Sequence, residues 1–79
     1  MKNINENIYR IIAETLNVDI AMIEDTLSIG DIPQWDSVGN LAIITQIEQR
    51  LSVEIPMDVL FELTSVGRIV KEIERLSNA

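Results

Sequence analysis

Ser37 is the one side chain in this sequence placed to react, inside the run Trp35-Asp36-Ser37-Val38-Gly39. It follows an acidic residue and a segment broken by Pro33, and it opens a long apolar stretch that reads as a helix. The first turn of a helix carries unpaired N–H groups and the positive end of the dipole, so an anion is favoured there. A phosphate ester is the modification such a hydroxyl would hold best. The chain supplies no usual base to activate it, because it contains no histidine and no cysteine. Ser-His and Cys-His pairs, thiolate metal sites and disulfides are therefore excluded. Two carboxylates can in principle serve as acid and base, but spacing singles out no pair. Catalysis by the chain itself is not expected.

The surroundings of Ser37 are strongly acidic. Of the net charge of −7, all seven units fall between Arg10 and Arg50, where Glu14, Asp19, Glu24, Asp25, Asp31, Asp36 and Glu48 meet no basic residue. Nucleic acid and anionic membrane are poor partners for such a surface. Basic protein surfaces are the expected partners, steered by charge, with plain solubility as the simpler explanation. The 79 residues are expected to form one domain, 1–79, with 47% hydrophobic residues and a mean hydropathy of +0.18. Tyr9, Trp35 and Phe61 are the only aromatics, so aliphatic side chains must fill the core. The start lacks a signal-peptide layout, and no apolar run approaches the roughly 20 residues needed to span a bilayer. A cytoplasmic, monomeric protein without membrane insertion is expected, and both ends lie close enough to the terminal helices to suggest a separate polypeptide.

Helical spacing of Ile4, Ile8, Ile11, Ile12 and Leu16 predicts a first helix, capped by Asn3 or Asn5 and ending near Leu16. A loop of nearly twenty residues follows, with Trp35 expected as an anchor and its aliphatics folded back as a lid. A short helix over 21–24 fits within it. The central helix should start at Ser37, capped by Asp36 or Ser37, and end near Leu51-Ser52. At about 100° per residue, Ile43, Ile44, Ile47 and Leu51 share the core arc. Val38, Ala42, Thr45 and Gln49 lie nearly opposite, with Leu41 on the flank. This second stripe is either ordinary surface or a docking stripe for partners that handle whatever Ser37 carries. Pro56 suits a helix start, and a short third helix from Met57 to about Glu62 follows. Met57 and Phe61 read chiefly as core residues of it, or alternatively as contacts for cargo or a partner. Thr64 or Ser65 caps a last helix through Val66, Ile69, Val70, Ile73 and Leu76, with Gly67 as its weak point. The fold class is an all-α four-helix bundle.

This layout resembles the acyl carrier proteins from about Ile4 to Leu76. The family opens its second helix with Asp-Ser-Leu, here Asp36-Ser37-Val38. A Glu-Ile-Pro-like turn follows, here Glu54-Ile55-Pro56, and then a Thr-(Ser/Thr)-Val helix start, here Thr64-Ser65-Val66. The resemblance implies a carrier with 4'-phosphopantetheine attached covalently to Ser37 from coenzyme A by a phosphopantetheinyl transferase. Acyl or aminoacyl groups would ride on its thiol as thioesters. Asp36 and Val38 would be read by the transferase. Leu41, Ala42, Thr45 and Glu48 would form the docking stripe for loading and condensing enzymes.

The departures from the family bear on subtype. Carriers of fatty-acid synthases have a strongly acidic second helix, whereas Asn40, Ala42, Gln46, Glu48, Gln49 and Arg50 are far less acidic here. Leu60-Phe61-Glu62 resembles the third helix of peptidyl carrier domains, yet their Gly-Gly-His-Ser pattern is missing. A carrier for a dedicated pathway is expected, making a polyketide, a nonribosomal peptide or a specialised lipid. The alternative is an unmodified helical adaptor that keeps the fold for protein–protein contact alone.

Overall fold

Aliphatic residues three and four apart give each long helix one buried stripe. In the computed structural model, which describes residues 4–77, these are α1 (Ile4–Leu16), α2 (Ser37–Leu51) and α4 (Val66–Ser77), with a one-turn α3 (Met57–Leu60) before the last. The architecture is the expected all-α bundle. Among the described residues the only sheet-like pairing is an isolated antiparallel bridge between Ser28 and Ser65. The core joins Ile8, Ile11 and Ile12 of α1, Ile43, Ile44 and Ile47 of α2, and Val66, Ile69 and Ile73 of α4. Leu51 and Leu76 are only half-buried at the bundle's edge. β-Branched residues are modest helix formers, so tertiary burial holds these helices. Each buried isoleucine contributes about 1.5–3 kcal/mol.

The helix ends follow local chemistry. Asn17 takes a left-handed φ of 59° beyond α1, and Val18 N–H reaches back to Ala13 O. Ser52 closes α2 in the same way at φ 54°. Asn5 lies inside the first turn of α1 and so is not its cap; Asn3 lies outside the described residues.

The long connection from α1 to α2 is held at several points. Its only helical piece is a 3-10 turn at Ile20–Met22, not a helix over 21–24, and Asp19 Oδ1 caps it by accepting Ala21 N–H at 2.9 Å. Ile23 and Trp35 are buried and Leu27, Ile29 and Ile32 half-buried, while Ile20 and Met22 face solvent. The lid is thus formed by part of the loop. Tyr9 Oη donates to Asp25 Oδ1 at 2.5 Å. That bond, then burial and the charges of Asp25 and Glu24, hold the Tyr9 phenol above its usual titration range.

Loop carbonyls also complete α4. Val66 N–H donates to Leu27 O and Gly67 N–H to Asp25 O, each at 2.9 Å. Arg68 N–H is 3.3 Å from Ser65 Oγ, and Ile69 N–H donates to Ser65 O at 3.1 Å. Every N–H of the first turn is satisfied. Gly67, expected as a weak point, sits where a Cβ would lie 3.1 Å from Asp25 O, so the loop's close approach favours glycine there.

The connection to α3 differs from expectation in two respects. α3 starts at Met57 as expected, with Pro56 just before it, but stops at Leu60 instead of near Glu62. Met57 and Phe61 are 72% and 75% exposed, which overturns the core reading of both. A one-turn helix has a single inward side. Val59 and Leu60, with Leu63 beyond, take it, so the i, i+4 pair Met57 and Phe61 is left facing outward.

Candidate functional site

Ser37 is exposed and is the first residue of α2. Asp36 is the cap: its Oδ1 accepts Gly39 N–H at 2.8 Å, and its carbonyl accepts Asn40 N–H at 2.8 Å. The N–H groups of Ser37 and Val38 have no partner among the described residues. The Ser37 hydroxyl therefore stands in solvent beside two free donors at the positive end of a fifteen-residue helix, as an ester phosphate would require.

Behind this turn lies a tightly fitted joint between loop and helix. Trp35 is 0% exposed, and its indole Nε1–H donates to Oδ1 of the buried Asn40 at 2.9 Å. Gly30 N–H donates to Trp35 O at 2.8 Å, holding the loop's turn against the same residue. A Cβ on Gly39 would lie 2.7 Å from Gln34 O, closer than any side chain tolerates, so the loop reaches α2 only because residue 39 is glycine. Trp35 is thus the loop anchor the sequence predicts. Sequence alone does not single out Gly39 or Asn40, although Asn40 lies only about 60° from Ile43 on the helical wheel. A polar residue bordering a core arc was the available signal.

In front of Ser37, a cavity of about 220 Å³ separates α2 from α3. Ile29, Leu41, Leu60 and Phe61 give it apolar walls, and Asn40 and Thr64 add polar edges. Val38 is 75% exposed and Leu41 54%, and Ala42 and Thr45 are also exposed. These residues, with Met57 at the start of α3 and Phe61 just past its end, put apolar surface on both sides of the site.

The carboxylates are arranged differently. Glu48 is half-buried and its Oε2 accepts Ile55 N–H at 2.8 Å, fastening the turn after α2. Glu14 pairs with Arg50 at 2.6 Å. Asp31 Oδ2 accepts Ser28 N–H at 2.9 Å. With Asp19, Asp25 and Asp36, six of the seven acidic residues between Arg10 and Arg50 thus bond within the chain, and Glu24 is the exception. Much of the acidity serves caps and turns.

Residues 6–73 match the family model described as a phosphopantetheine attachment site. The chain belongs to the acyl carrier protein family. Acyl carrier proteins are carriers rather than catalysts; their prosthetic group is covalent 4'-phosphopantetheine, and they work with phosphopantetheinyl transferases and biosynthetic enzymes. The acyl carrier protein of Helicobacter pylori (strain G27) is 35% identical over 69 residues, covering 87% of this chain and 88% of its own. That of Sinorhizobium fredii (strain NBRC 101917 / NGR234) is 31% identical over 75 residues, covering 95% and 96%. Acyl carrier protein AcpP of Rhizobium meliloti (strain 1021) matches to the same extent. No helix among the described residues is long and apolar enough to cross a membrane. The carrier's residues fit the group: an exposed hydroxyl, two unpartnered donors and an apolar cavity lie together.

Proposed function

We propose that Ser37 is the attachment point of the 4'-phosphopantetheine arm, and that the carrier, acting as one unit over its whole length, serves a dedicated biosynthetic pathway in the cytoplasm. The observation that carries this reading is the exposed Ser37 hydroxyl on an open helix start. Attachment forms a bond from Ser37 Oγ to the pantetheine-side phosphorus of coenzyme A as the bond to adenosine bisphosphate breaks. The hydroxyl proton goes to a base of the transferase, since this chain lacks histidine. Asp36 and Val38, flanking the hydroxyl, are the residues a transferase would read. When bound, the arm supplies a thiol on which acyl or aminoacyl groups travel as thioesters.

Loading and condensing enzymes dock on Val38, Leu41, Ala42 and Thr45, extended across the cavity by Met57 and Phe61. Glu48 is the weakest member of that set, because its carboxylate already fastens the turn at Ile55. It is also the only acidic residue in α2, which supports enzymes with apolar rather than strongly basic docking patches, and hence a dedicated pathway. Intact mass after incubation with coenzyme A and a broad-specificity transferase tests the reading. A gain of one phosphopantetheine that disappears in Ser37→Ala is expected. No gain with several transferases would leave an unmodified adaptor as the function.

A further inference from the structure

We infer that Asn40 is a cargo-selecting residue, and that the cavity beside Ser37 favours a short acyl group bearing a keto or hydroxyl oxygen. The inference rests on the proposed attachment at Ser37 and goes beyond it by naming what the arm carries. It begins from a buried amide that is only half used. Asn40 is 9% exposed, and its Oδ1 accepts the indole N–H of Trp35 at 2.9 Å. An indole N–H only donates, so the atom facing it is the amide oxygen, and Nδ2 is the end turned away. Nδ2 has no partner among the described residues. A donor this deeply placed is unfavourable without an acceptor.

The free end of the amide belongs to the cavity. Asn40 lines that cavity and Trp35 does not, so the side-chain end away from the indole is the one presented there. Thr64 lines it too, and its hydroxyl has no partner among the described residues. Apart from Ser37, the remaining walls are Ile29, Leu41, Leu60 and Phe61, and no charged side chain contributes.

These walls sort the acyl and aminoacyl cargoes. The 220 Å³ volume equals roughly seven water-sized groups at about 30 Å³ each. That suits a short chain and excludes a long one. An aminoacyl group would bring its ammonium against walls that hold no carboxylate, which burial penalises. A plain alkyl chain would cover Nδ2 and the Thr64 hydroxyl while offering its carbons no polar partner. A keto or hydroxyl oxygen on the chain accepts from Nδ2–H and pairs with Thr64, while the carbons lie against Leu60 and Phe61. Sites that hydrogen-bond a substrate oxygen discriminate strongly against the analogue lacking it.

The test loads the full chain, by a broad-specificity transferase, from coenzyme A and from its 3-oxobutyryl, 3-hydroxybutyryl, butyryl, decanoyl and alanyl thioesters. Mass confirms each product, and NMR follows the Asn40 side-chain amide and cargo-to-Leu60 contacts. The two oxygenated forms should shift the Asn40 amide protons from their position in the unacylated carrier and show contacts at Leu60. The other three should shift them less. Asn40→Asp keeps an acceptor for Trp35 but has no donor, and should lose those contacts. Thr64→Val leaves the Trp35–Asn40 bond alone, should weaken the contacts, and keeps the test valid if Asn40→Asp does not fold. Equal shifts from butyryl or alanyl cargo, or contacts undiminished in both variants, overturn the selection. So does a full shift in the unacylated carrier, which would place the arm's own amides in the cavity, or no shift at all, which would leave water as the partner of Nδ2. Failure to load removes attachment at Ser37 and the cargo with it, whereas loading without the Asn40 response removes the selection alone.

Discussion

The first turns of α2 and α4 both follow a polar cap, yet only one of them is closed. At α4, carbonyls from residues 25 and 27 and both oxygens of Ser65 receive the first four N–H groups. At α2, Asp36 receives two, and those of Ser37 and Val38 are left without a partner in the chain. The long loop passes both helix starts, but it covers one and stops short of the other. A helix start that serves structure is completed by its own chain. One that is to hold an added phosphate keeps donors free and its hydroxyl in solvent.

Four comparisons sharpen or break this contrast. Ser37→Ala should abolish phosphopantetheine loading in an intact-mass assay and change stability by no more than about 0.5 kcal/mol, as expected of an exposed side chain outside the cap. A large drop in melting temperature would move Ser37 to the structural side. Gly39→Ala should cost about 1–3 kcal/mol in chemical denaturation, since its Cβ meets Gln34 O at 2.7 Å. Gly67→Ala, at 3.1 Å, should cost less. Asn40→Ala strands the buried Trp35 N–H, with an expected cost of about 1–3 kcal/mol and slower loading from a loosened α2 start. Ser65→Ala should cost about 0.5–2 kcal/mol at the closed helix start and leave loading unchanged.

The smallest effect concerns pH. The Tyr9 phenol is held protonated by Asp25, so its folded value lies above its unfolded one. Its contribution is complete below the ordinary tyrosine value of about 10 and is lost as pH rises from there through the raised folded value. Wild type should therefore lose more melting temperature over that alkaline interval than Tyr9→Phe. Parallel curves would show that this tether does not hold the loop.

What could be read from sequence followed the reach of the physics involved. Helices of twelve or more residues repeat their apolar pattern often enough to fix α1, α2 and α4 and the burial of Ile43, Ile44 and Ile47. Asp36 and Ser37 were legible as a helix start because capping is local chemistry. α3 is harder to read: four residues carry no period, so only hydrophobicity points Met57 and Phe61 inward. Gly39 and Asn40 are not legible in the sequence because their reasons lie across the loop, in Gln34 O and the Trp35 indole. The acidic excess was legible as charge but not as bonding. That Glu48 fastens Ile55 depends on how the chain turns after Ser52.

The bonds from residues 25 and 27 to the amides of Val66 and Gly67 have a consequence for hydrogen exchange. Those two amides are protected only while a segment some forty positions earlier in the chain stays in place. Local opening of the connection should expose them together, as one cooperative unit, with the Ile29 amide that donates to Thr64 O. The middle of α4, anchored by Ile69 and Ile73, should exchange more slowly than its own beginning.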